Sequence, residues 1–255
     1  MCHQPGARPP LPPIAGGAEA AGQLLILQAV DGNDVAAYAA TSGGPGGSGI
    51  VVMPDVRGLH PFYMELAERF AEAGVHAVAV DYFGRTAGPE VRGDDFEYQP
   101  HLERTTPEGI AADVGAAVAH LRSEPGGAAT KVFTVGFCFG GRNSFNQAAE
   151  DHHLAGVIGF YGSLREWHDG DPNTPARRAR HYRCPVLGMF GGADQSIAPE
   201  QIEEFRRALD HAGVPNEIVV YEGATHSFFD RRFDEFRDQS ADAWRRALGF
   251  IESTG

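Results

Sequence analysis

The sequence predicts an α/β fold: a mostly parallel sheet of about eight strands, with helices on both faces and an antiparallel N-terminal edge. Strand-like and helix-like segments alternate from residue 50 onward, which is typical of parallel sheets crossed by helices. Continuous apolar runs such as Ile50–Met53 are expected for strands that are buried on both faces. Two earlier strand-like runs flank an Asp-Gly-Asn-Asp turn at residues 31–34, which predicts an antiparallel hairpin.

Proline, glycine and apolar spacing define the elements in order. Pro61 opens an amphipathic helix with apolar residues on one face, and Gly74 ends it. Residues 86–106 are polar and irregular, and residues 162–182 form a long connection. The predicted strands are Gln23–Ala29, Val35–Ala40, Ile50–Met53, Val75–Val80, the run before Cys138, Leu154–Tyr161, Pro185–Phe190 and Glu217–Tyr221; the predicted helices are Pro61–Ala73, Pro107–Ser123, the one after Cys138, Pro199–Ala212 and Asp234–Ile251.

Length and composition favour one globular domain at residues 23–255, after an extended arm rich in Pro, Gly and Ala at residues 1–22. The formal net charge is −13 and Lys131 is the only lysine, so nucleic-acid binding is disfavoured. The sequence contains neither an apolar run of membrane-spanning length nor a recognisable secretory signal, so we expect no membrane partner and a cytoplasmic location. Three scattered cysteines predict neither a disulfide framework nor a metal site. The oligomeric state is left open between monomer and homodimer.

The stretch from Lys131 to Gly141 combines a short apolar strand, a glycine turn and the start of a helix. Cys138 lies at its centre in the frame Gly-Phe-Cys-Phe-Gly, which is the Gly-x-Ser-x-Gly nucleophile elbow with sulfur in place of oxygen. Such a turn forces its central residue into strained backbone angles and needs flanks without side chains. The alternative is a small buried cysteine between a strand and a helix.

Two further residues occupy equivalent places. Asp194 and His226, like Cys138, each follow the carboxyl end of a predicted strand, and in parallel sheets these ends share one edge. The order nucleophile, acid, histidine is the one that α/β-hydrolases use. Taken alone, Asp194 is a candidate helix cap and His226 a candidate surface histidine, but the three together predict a nucleophile, an orienting acid and a base.

These motifs resemble the dienelactone hydrolase family, the carboxymethylenebutenolidases. The resemblance is carried by residues 136–141 (Gly-Phe-Cys-Phe-Gly-Gly), 192–194 (Gly-Ala-Asp), 223–228 (Gly-Ala-Thr-His-Ser-Phe) and 80–85 (Val-Asp-Tyr-Phe-Gly-Arg), and it extends from about residue 20 to the end. It implies an α/β-hydrolase fold and hydrolysis of a small ester or lactone, with dienelactone as the type substrate and no cofactor. It also implies that Cys138 is the nucleophile, that His226 is the base and then the acid, and that Asp194 orients the imidazole.

The resemblance assigns roles to five further residues. Asp55 stands where the family has a glutamate that contacts the thiol. The backbone N–H groups of Val56 and Phe139 match the oxyanion hole, and Arg85 matches an arginine that binds the substrate carboxylate. Tyr161 follows a strand end and is expected to line the site.

Two departures from the family pattern concern the substrate. Asp55 is one methylene shorter than glutamate. A second family arginine, four residues after the histidine, is Asp230 here, and Arg231 and Arg232 are the candidates to replace it. Because bidentate recognition of a carboxylate is geometric, a shift of one residue can change the substrate.

Two alternative functions stay open from the sequence. The first is a broad carboxylesterase or thioesterase without a preference for lactones. The second is a non-catalytic binding or thiol redox-sensing protein on the same fold, because an exposed thiolate is oxidisable. Cys184, at a predicted strand start, is interpreted as structural.

Overall fold

A computed structural model of the protein describes residues 22–254 and contains one sheet of eight strands. The strands are β1 (Gly22–Gln28), β2 (Asp34–Ala40), β3 (Ser48–Met53), β4 (His76–Val80), β5 (Lys131–Phe137), β6 (Gly156–Phe160), β7 (Val186–Gly191) and β8 (Asn216–Tyr221). Their order in the sheet is β1-β2-β4-β3-β5-β6-β7-β8. β1 and β2 pair in antiparallel fashion, as do β2 and β4, whereas the pairs β3–β4, β6–β7 and β7–β8 are parallel. The predicted fold class is therefore confirmed.

Helices connect the parallel strands. They are α1 (Pro61–Glu72), α2 (Gly84–Ala87), α3 (Gln99–Leu102), α4 (Pro107–Arg122), α5 (Phe139–Gln147), α6 (Pro175–Arg178), α7 (Pro199–His211) and α8 (Arg237–Ser253). A short 3₁₀ turn at Ala179–His181 follows α6. The five long helices agree with the sequence within about three residues at each end, the usual uncertainty of helix ends.

The chain divides after Phe133 into two compact units. In the first, α1 packs against β4, and α4 packs against β3 and β4. Every residue of the apolar run at 50–53 in β3 is fully buried, as the sequence predicts for a central strand. Side-chain caps fix the helix starts: the ring of His60 accepts the N–H of Phe62 at 3.1 Å, and Thr106 accepts the N–H of Gly109 at 3.1 Å.

In the second unit, α5 packs against β6, α7 against β8, and α8 against β7. The parallel strands β6, β7 and β8 run in matched register, so their carboxyl ends share one edge of the sheet. Cys138, Asp194 and His226 all belong to this unit and follow β5, β7 and β8, respectively.

Two predictions about the connections differ from the structure. Residues 86–106 contain α3 and the end of α2, and residues 162–182 contain α6 and the 3₁₀ turn. These helices have four residues or fewer, which is too short for an apolar periodicity to be visible in the sequence. The predicted arm at residues 1–22 lies outside the described residues except for Gly22, which begins β1. A single domain over residues 23–255 stays a prediction.

Candidate active site

Strand β5 turns sharply into helix α5 at Cys138. This residue is the N-cap of α5 with φ +53° and ψ −110°, and such a conformation costs a residue with a side chain about 1–3 kcal/mol. Its N–H donates to the carbonyl oxygen of Phe160 at 3.0 Å, which fastens the turn to the end of β6. The half-buried thiol is thus held at the tip of a strained strand-to-helix turn, as expected for a nucleophile elbow.

The glycines around the turn are required by close approach of the backbone. A Cβ atom on Gly136 would lie 2.0 Å from the carbonyl oxygen of Gly140, and one on Gly141 would lie 2.6 Å from that of Phe160. Both distances are far below van der Waals contact, so no other residue fits without moving α5 away from the sheet.

Asp194 and His226 lie on the loops that follow the neighbouring strands β7 and β8. The N–H of Ala193 donates to the carbonyl oxygen of Ala224 at 2.8 Å, which joins the two loops. The side chains then meet directly, with Nδ1 of His226 2.6 Å from Oδ2 of Asp194. The carboxylate therefore fixes the orientation of the imidazole ring and its tautomer.

Ser196 is a member of this site that the sequence analysis did not identify. Its N–H and its hydroxyl donate to Oδ1 of Asp194 at 2.8 and 2.6 Å, and its Oγ lies 3.2 Å from Nδ1 of His226. Both carboxylate oxygens of Asp194 are thus engaged. Because α7 begins at Pro199 with Ala198 as its N-cap, Asp194 is not the helix cap that was the alternative interpretation. The available signal was the Asp-x-Ser spacing, which is typical of an Asx turn.

Cys138 is the third member of the hydrogen-bonded chain. Burial acts to lower the pKa of His226, but hydrogen bonds and charge interactions with Asp194 and Cys138 raise this pKa to about 10. Burial acts to raise the pKa of Asp194, yet its hydrogen bonds with His226 and Ser196 hold this pKa below the usual range. At neutral pH the site therefore favours a protonated imidazole beside a carboxylate. The structure brings Cys138, His226 and Asp194 together.

Tyr161 is fully buried and adjoins the histidine, and its role in lining the substrate site stays a prediction. It follows β6 with φ +39°, and its ring centroid lies 5.0 Å from that of His226. Its N–H donates to the carbonyl oxygen of Met189 at 2.7 Å, which holds the strained residue on β7. Phe139, the predicted oxyanion donor in this unit, is the first residue of α5.

In the first unit, Asp55 lies directly after the end of β3. Its carboxylate accepts the side-chain Nε–H of Arg57 at 2.9 Å and the backbone N–H of the same residue at 2.9 Å. Its own N–H donates to the hydroxyl oxygen of Tyr63 at 3.1 Å. Val56, between Asp55 and Arg57, is half-buried. The thiol-contact role of Asp55 and the oxyanion role of Val56 stay predictions.

Arg85, also in the first unit, is tied to two carboxylates. Its Nε and Nη2 donate to the buried Asp113 at 3.0 and 2.8 Å, and its Nη1 donates to Asp31 at 2.6 Å. All three guanidinium nitrogens thus have carboxylate partners inside the protein. Binding of a substrate carboxylate by Arg85 stays a prediction.

Metal sites and membrane-spanning helices are both absent from the described part of the chain. Over residues 22–254, no group of three or more His, Cys, Asp or Glu residues has the arrangement of a metal site. Among the helices described, none is long and apolar enough to cross a membrane.

The sequence model of the dienelactone hydrolase family matches residues 35–254. The chain belongs to the dienelactone hydrolase family. Within this family, a "putative carboxymethylenebutenolidase" of Salmonella typhimurium is 31% identical, covering 99% of this chain and 97% of that protein. A "probable 2-oxo-3-(5-oxofuran-2-ylidene)propanoate lactonase" of Bradyrhizobium sp. is 26% identical, covering 79% of this chain and 82% of that protein.

A solved structure agrees with this membership. The crystal structure of a "putative dienelactone hydrolase" from Klebsiella pneumoniae has a TM-score of 0.79 and 26% identity, covering 92% of this chain and 99% of that one. The predicted class of enzyme, a carboxylic ester hydrolase of the dienelactone hydrolase type, is confirmed.

This member of the dienelactone hydrolase family has its own arrangement at residues 230–232. Asp230, at the place predicted for a family arginine, is buried and accepts the hydroxyl of Tyr161 at 3.0 Å. Arg232 donates through Nε to Glu235 at 3.1 Å and through Nη1 to Thr225 at 3.0 Å. Arg231 is half-buried. Replacement of the missing arginine by Arg231 or Arg232 stays a prediction.

Proposed function

We propose that this enzyme hydrolyses a small neutral ester or enol-lactone through a Cys138–His226–Asp194 triad and a thioester acyl-enzyme. One observation carries the proposal. The ring of His226 is hydrogen-bonded to Asp194 at 2.6 Å and also to the thiol of Cys138, which stands on a strained elbow. The candidate nucleophile and the candidate orienting acid thus each contact the candidate base, as covalent catalysis of acyl transfer requires.

The imidazole of His226 carries a proton at neutral pH. The pKa of His226, which hydrogen bonds and charges from Asp194 and Cys138 raise to about 10 against the effect of burial, favours the imidazolium. Nδ1 faces Asp194, so Nε2 is the nitrogen left for the sulfur. The attacking species in this proposal is the thiolate of Cys138, because a thiolate is the form of cysteine that attacks carbonyl carbons.

Acylation forms one bond and breaks one. The sulfur of Cys138 attacks the carbonyl carbon, and the carbonyl oxygen becomes an oxyanion. The N–H of Phe139 is suited to bind that oxyanion, because N–H groups of the first helical turn point out of the N-terminus of α5. As the C–O bond breaks, the imidazolium of His226 gives its proton to the leaving oxygen. The product is a thioester and an alcohol, or an enol still tethered to the acyl group when the substrate is a lactone.

Deacylation uses the change in charge that acylation causes. Once the sulfur is esterified, it carries no negative charge that could stabilise the imidazolium, so the pKa of His226 falls. The neutral ring then takes a proton from water while the hydroxyl group adds to the thioester carbonyl carbon. The C–S bond of this adduct breaks, the carboxylic acid leaves, and the sulfur departs as a thiolate beside the imidazolium that now holds the proton. The same histidine thus serves as acid in one half-reaction and base in the other.

The two positions that the family resemblance assigns to carboxylate-binding arginines favour a substrate without a carboxylate. Position 230 is an aspartic acid instead of an arginine, and Arg85 has carboxylate partners at all three guanidinium nitrogens. A negatively charged dienelactone would lack the pair of arginines that the family resemblance predicts. The lactonase name of the Bradyrhizobium relative supports lactones as a substrate class.

A substrate panel tests the proposal. We expect turnover of p-nitrophenyl acetate and of an enol-lactone, with a higher kcat/KM for the methyl ester of a carboxylated dienelactone than for its free acid. Cys138→Ala should lower kcat by about 10³-fold or more, whereas the Cys184→Ala control should retain it. Equal turnover by wild type and Cys138→Ala would refute the triad. A preference for the free acid would refute the proposed neutral substrate and would leave the triad standing.

The cytoplasmic location and the choice between monomer and homodimer stay predictions. Fractionation of cells and light scattering of the purified protein would test them separately.

A further inference from the structure

Trp167 is an exposed aromatic side chain beside the elbow. It lies on the loop of residues 162–174 (the Trp167 loop), which follows β6, and 48% of its surface is exposed. Its indole ring stacks on the ring of Phe139, with centroids 5.6 Å apart and planes inclined by 11°. Phe139 directly follows the nucleophile Cys138. The indole is therefore joined through one stacking contact to the residue that is proposed to bind the oxyanion.

Part of the indole is covered by side chains of α5 and part is exposed. Phe139 and Arg142 are separated by three positions on α5, so their side chains emerge on the same side of the helix. The guanidinium carbon of Arg142 lies 4.0 Å from the centroid of the Trp167 ring, which also stacks on Phe139. With both contacts in place, 48% of the tryptophan surface stays exposed.

The Trp167 loop is fixed by a buried ion pair. Arg142 is 1% exposed and donates to the carboxylate of Asp171, itself 2% exposed, at 2.6 Å. Arg142 also donates to the backbone carbonyl oxygens of Arg165 at 2.5 Å and Asn173 at 2.9 Å. Asp171 accepts the backbone N–H of Trp167 at 3.2 Å. The loop backbone is thus bound on both sides of the tryptophan.

Burial of this ion pair is energetically costly, but the pair fixes the position of the loop. Burying an arginine and an aspartate carries a desolvation penalty that their attraction often only offsets, whereas the geometry that they impose is specific. Here the pair holds a partly exposed aromatic ring in place. A binding surface fixed before the ligand arrives loses less conformational entropy on binding.

We propose that the exposed part of the Trp167 indole binds the planar conjugated part of the substrate by stacking, so that Trp167 determines specificity for unsaturated over saturated esters. The proposal rests on the proposed function, because it places the stacking group next to the carbonyl that Cys138 attacks. Stacking between aromatic or conjugated groups contributes about 0.5–1.5 kcal/mol beyond burial, which corresponds to a roughly 2–10-fold effect.

Matched vinyl esters test the specificity. Vinyl sorbate has a flat, conjugated six-carbon acyl group, and vinyl hexanoate has a flexible saturated one with the same leaving group. We expect Trp167→Ala to lower kcat/KM for the sorbate about 10-fold and for the hexanoate less than about 3-fold. Trp167→Phe should restore much of the loss, and Trp167→Leu should not. The control is Trp244→Phe, a change at the other tryptophan, which is 9% exposed on α8.

A second pair asks which end of the ester stacks. Phenyl acetate and cyclohexyl acetate differ only in the planarity of the leaving group. Sensitivity of phenyl acetate to Trp167→Ala, without sensitivity of vinyl sorbate, would assign the stacking to the leaving group and would still support the proposal. If Trp167→Ala leaves the ratio within both pairs unchanged while Cys138-dependent hydrolysis continues, the stacking proposal is wrong and the proposed function stands.

Binding without turnover provides the separate readout. In the Trp244→Phe variant Trp167 is the only tryptophan, so the fluorescence of the protein reports the Trp167 indole directly. Titration with sorbamide, a planar amide, is expected to change this fluorescence saturably, and hexanamide should do so at least about 5-fold more weakly. Equal responses to the two amides would overturn the stacking proposal. A saturable response to sorbamide in a protein that hydrolyses no ester would instead refute the proposed function.

Discussion

Cys138 and Cys184 lie in the same unit of the molecule and have opposite environments. Cys184 precedes β7, is 7% exposed, and has its pKa raised to about 12 by burial. Cys138 follows β5, is half-buried, has φ +53°, and is hydrogen-bonded to His226. The first thiol lies at the amino end of a strand and the second at the carboxyl end of one.

The position of a thiol on a parallel sheet sets the groups that surround it. Carboxyl ends of the strands gather the loops that carry Asp194 and His226, so a cysteine placed there acquires a hydrogen-bonded histidine that is itself paired with a carboxylate. A cysteine at the other end is only a small apolar side chain. Alkylation of the two thiols and substitutions around them test this contrast.

Alkylation should separate the two thiols most strongly. At pH 7 the buried Cys184, with a pKa of about 12, is almost wholly protonated, whereas Cys138 is half-buried and hydrogen-bonded to His226. We expect iodoacetamide to modify Cys138 faster than Cys184 by about 10³-fold or more in the folded protein. Peptide mapping over time measures both rates. Comparable alkylation rates of Cys138 and Cys184 in the native protein would contradict the prediction. As a control, unfolding in denaturant should make the two rates similar.

Asp194→Asn should cost about 10²–10⁴-fold in kcat/KM, because an amide does not stabilise the imidazolium as a carboxylate does. The pH profile adds a sharper readout. Loss of the carboxylate removes one of the contacts that raise the pKa of His226, so the alkaline limb of the profile should move to lower pH. An unchanged limb would mean that Asp194 does not control the protonation of His226.

The free energy of unfolding should depend on pH through His226. The folded-state pKa of about 10 lies above the unfolded value of about 6.5, so proton binding stabilises the folded form. The contribution is complete below about pH 6.5 and is lost as pH rises to about 10. Urea denaturation of wild type and His226→Gln, at several pH values, should show a stability difference that shrinks across this window. A difference that grows with pH would contradict the sign of the shift.

Ser196→Ala should have a smaller effect, about 3–10-fold on kcat/KM, because Asp194 keeps the backbone N–H of residue 196 and loses only the hydroxyl. The hydroxyl helps to hold the pKa of Asp194 down, so the acid limb of the pH profile should move to higher pH. Ser196→Thr, which retains a hydroxyl, is the matched control. A loss of activity without any shift of the limb would indicate a structural role only.

Cys184→Ser should give the smallest change in catalysis. A hydroxyl in this buried position lowers the free energy of unfolding by about 1–3 kcal/mol. Because Cys184 has no place in the proposed chemistry, kcat of the folded protein should stay within about 2-fold. Thermal denaturation and steady-state kinetics on the same sample distinguish the two effects. A large fall in kcat with unchanged stability would give Cys184 a role in the site.

Much of this could be predicted from the sequence because it depends on local pattern. Apolar runs and glycine turns identified all eight strands, and the place of Cys138, Asp194 and His226 after strand ends predicted their meeting. The contact of Arg142 with Asp171 could not be predicted, since the two residues are 29 positions apart. The contact of Ser196 with Asp194 had a local signal in the Asp-x-Ser spacing, whereas its contact with His226 depends on the fold. Arg85 illustrates the same limit. Its motif suggests that it binds a substrate carboxylate, but its guanidinium is hydrogen-bonded to Asp31 and Asp113, which are 54 and 28 residues away in the sequence.

The most direct test of the central claim is to trap the acyl-enzyme. Wild-type protein mixed with excess p-nitrophenyl acetate should release a burst of p-nitrophenol close to one equivalent, and acid quenching followed by peptide mass spectrometry should locate the acetyl group on Cys138. Cys184 should stay unmodified, and Cys138→Ala should give neither burst nor adduct. Sustained turnover by wild type with no acyl group on Cys138, or a burst that persists in Cys138→Ala, would contradict the thioester mechanism.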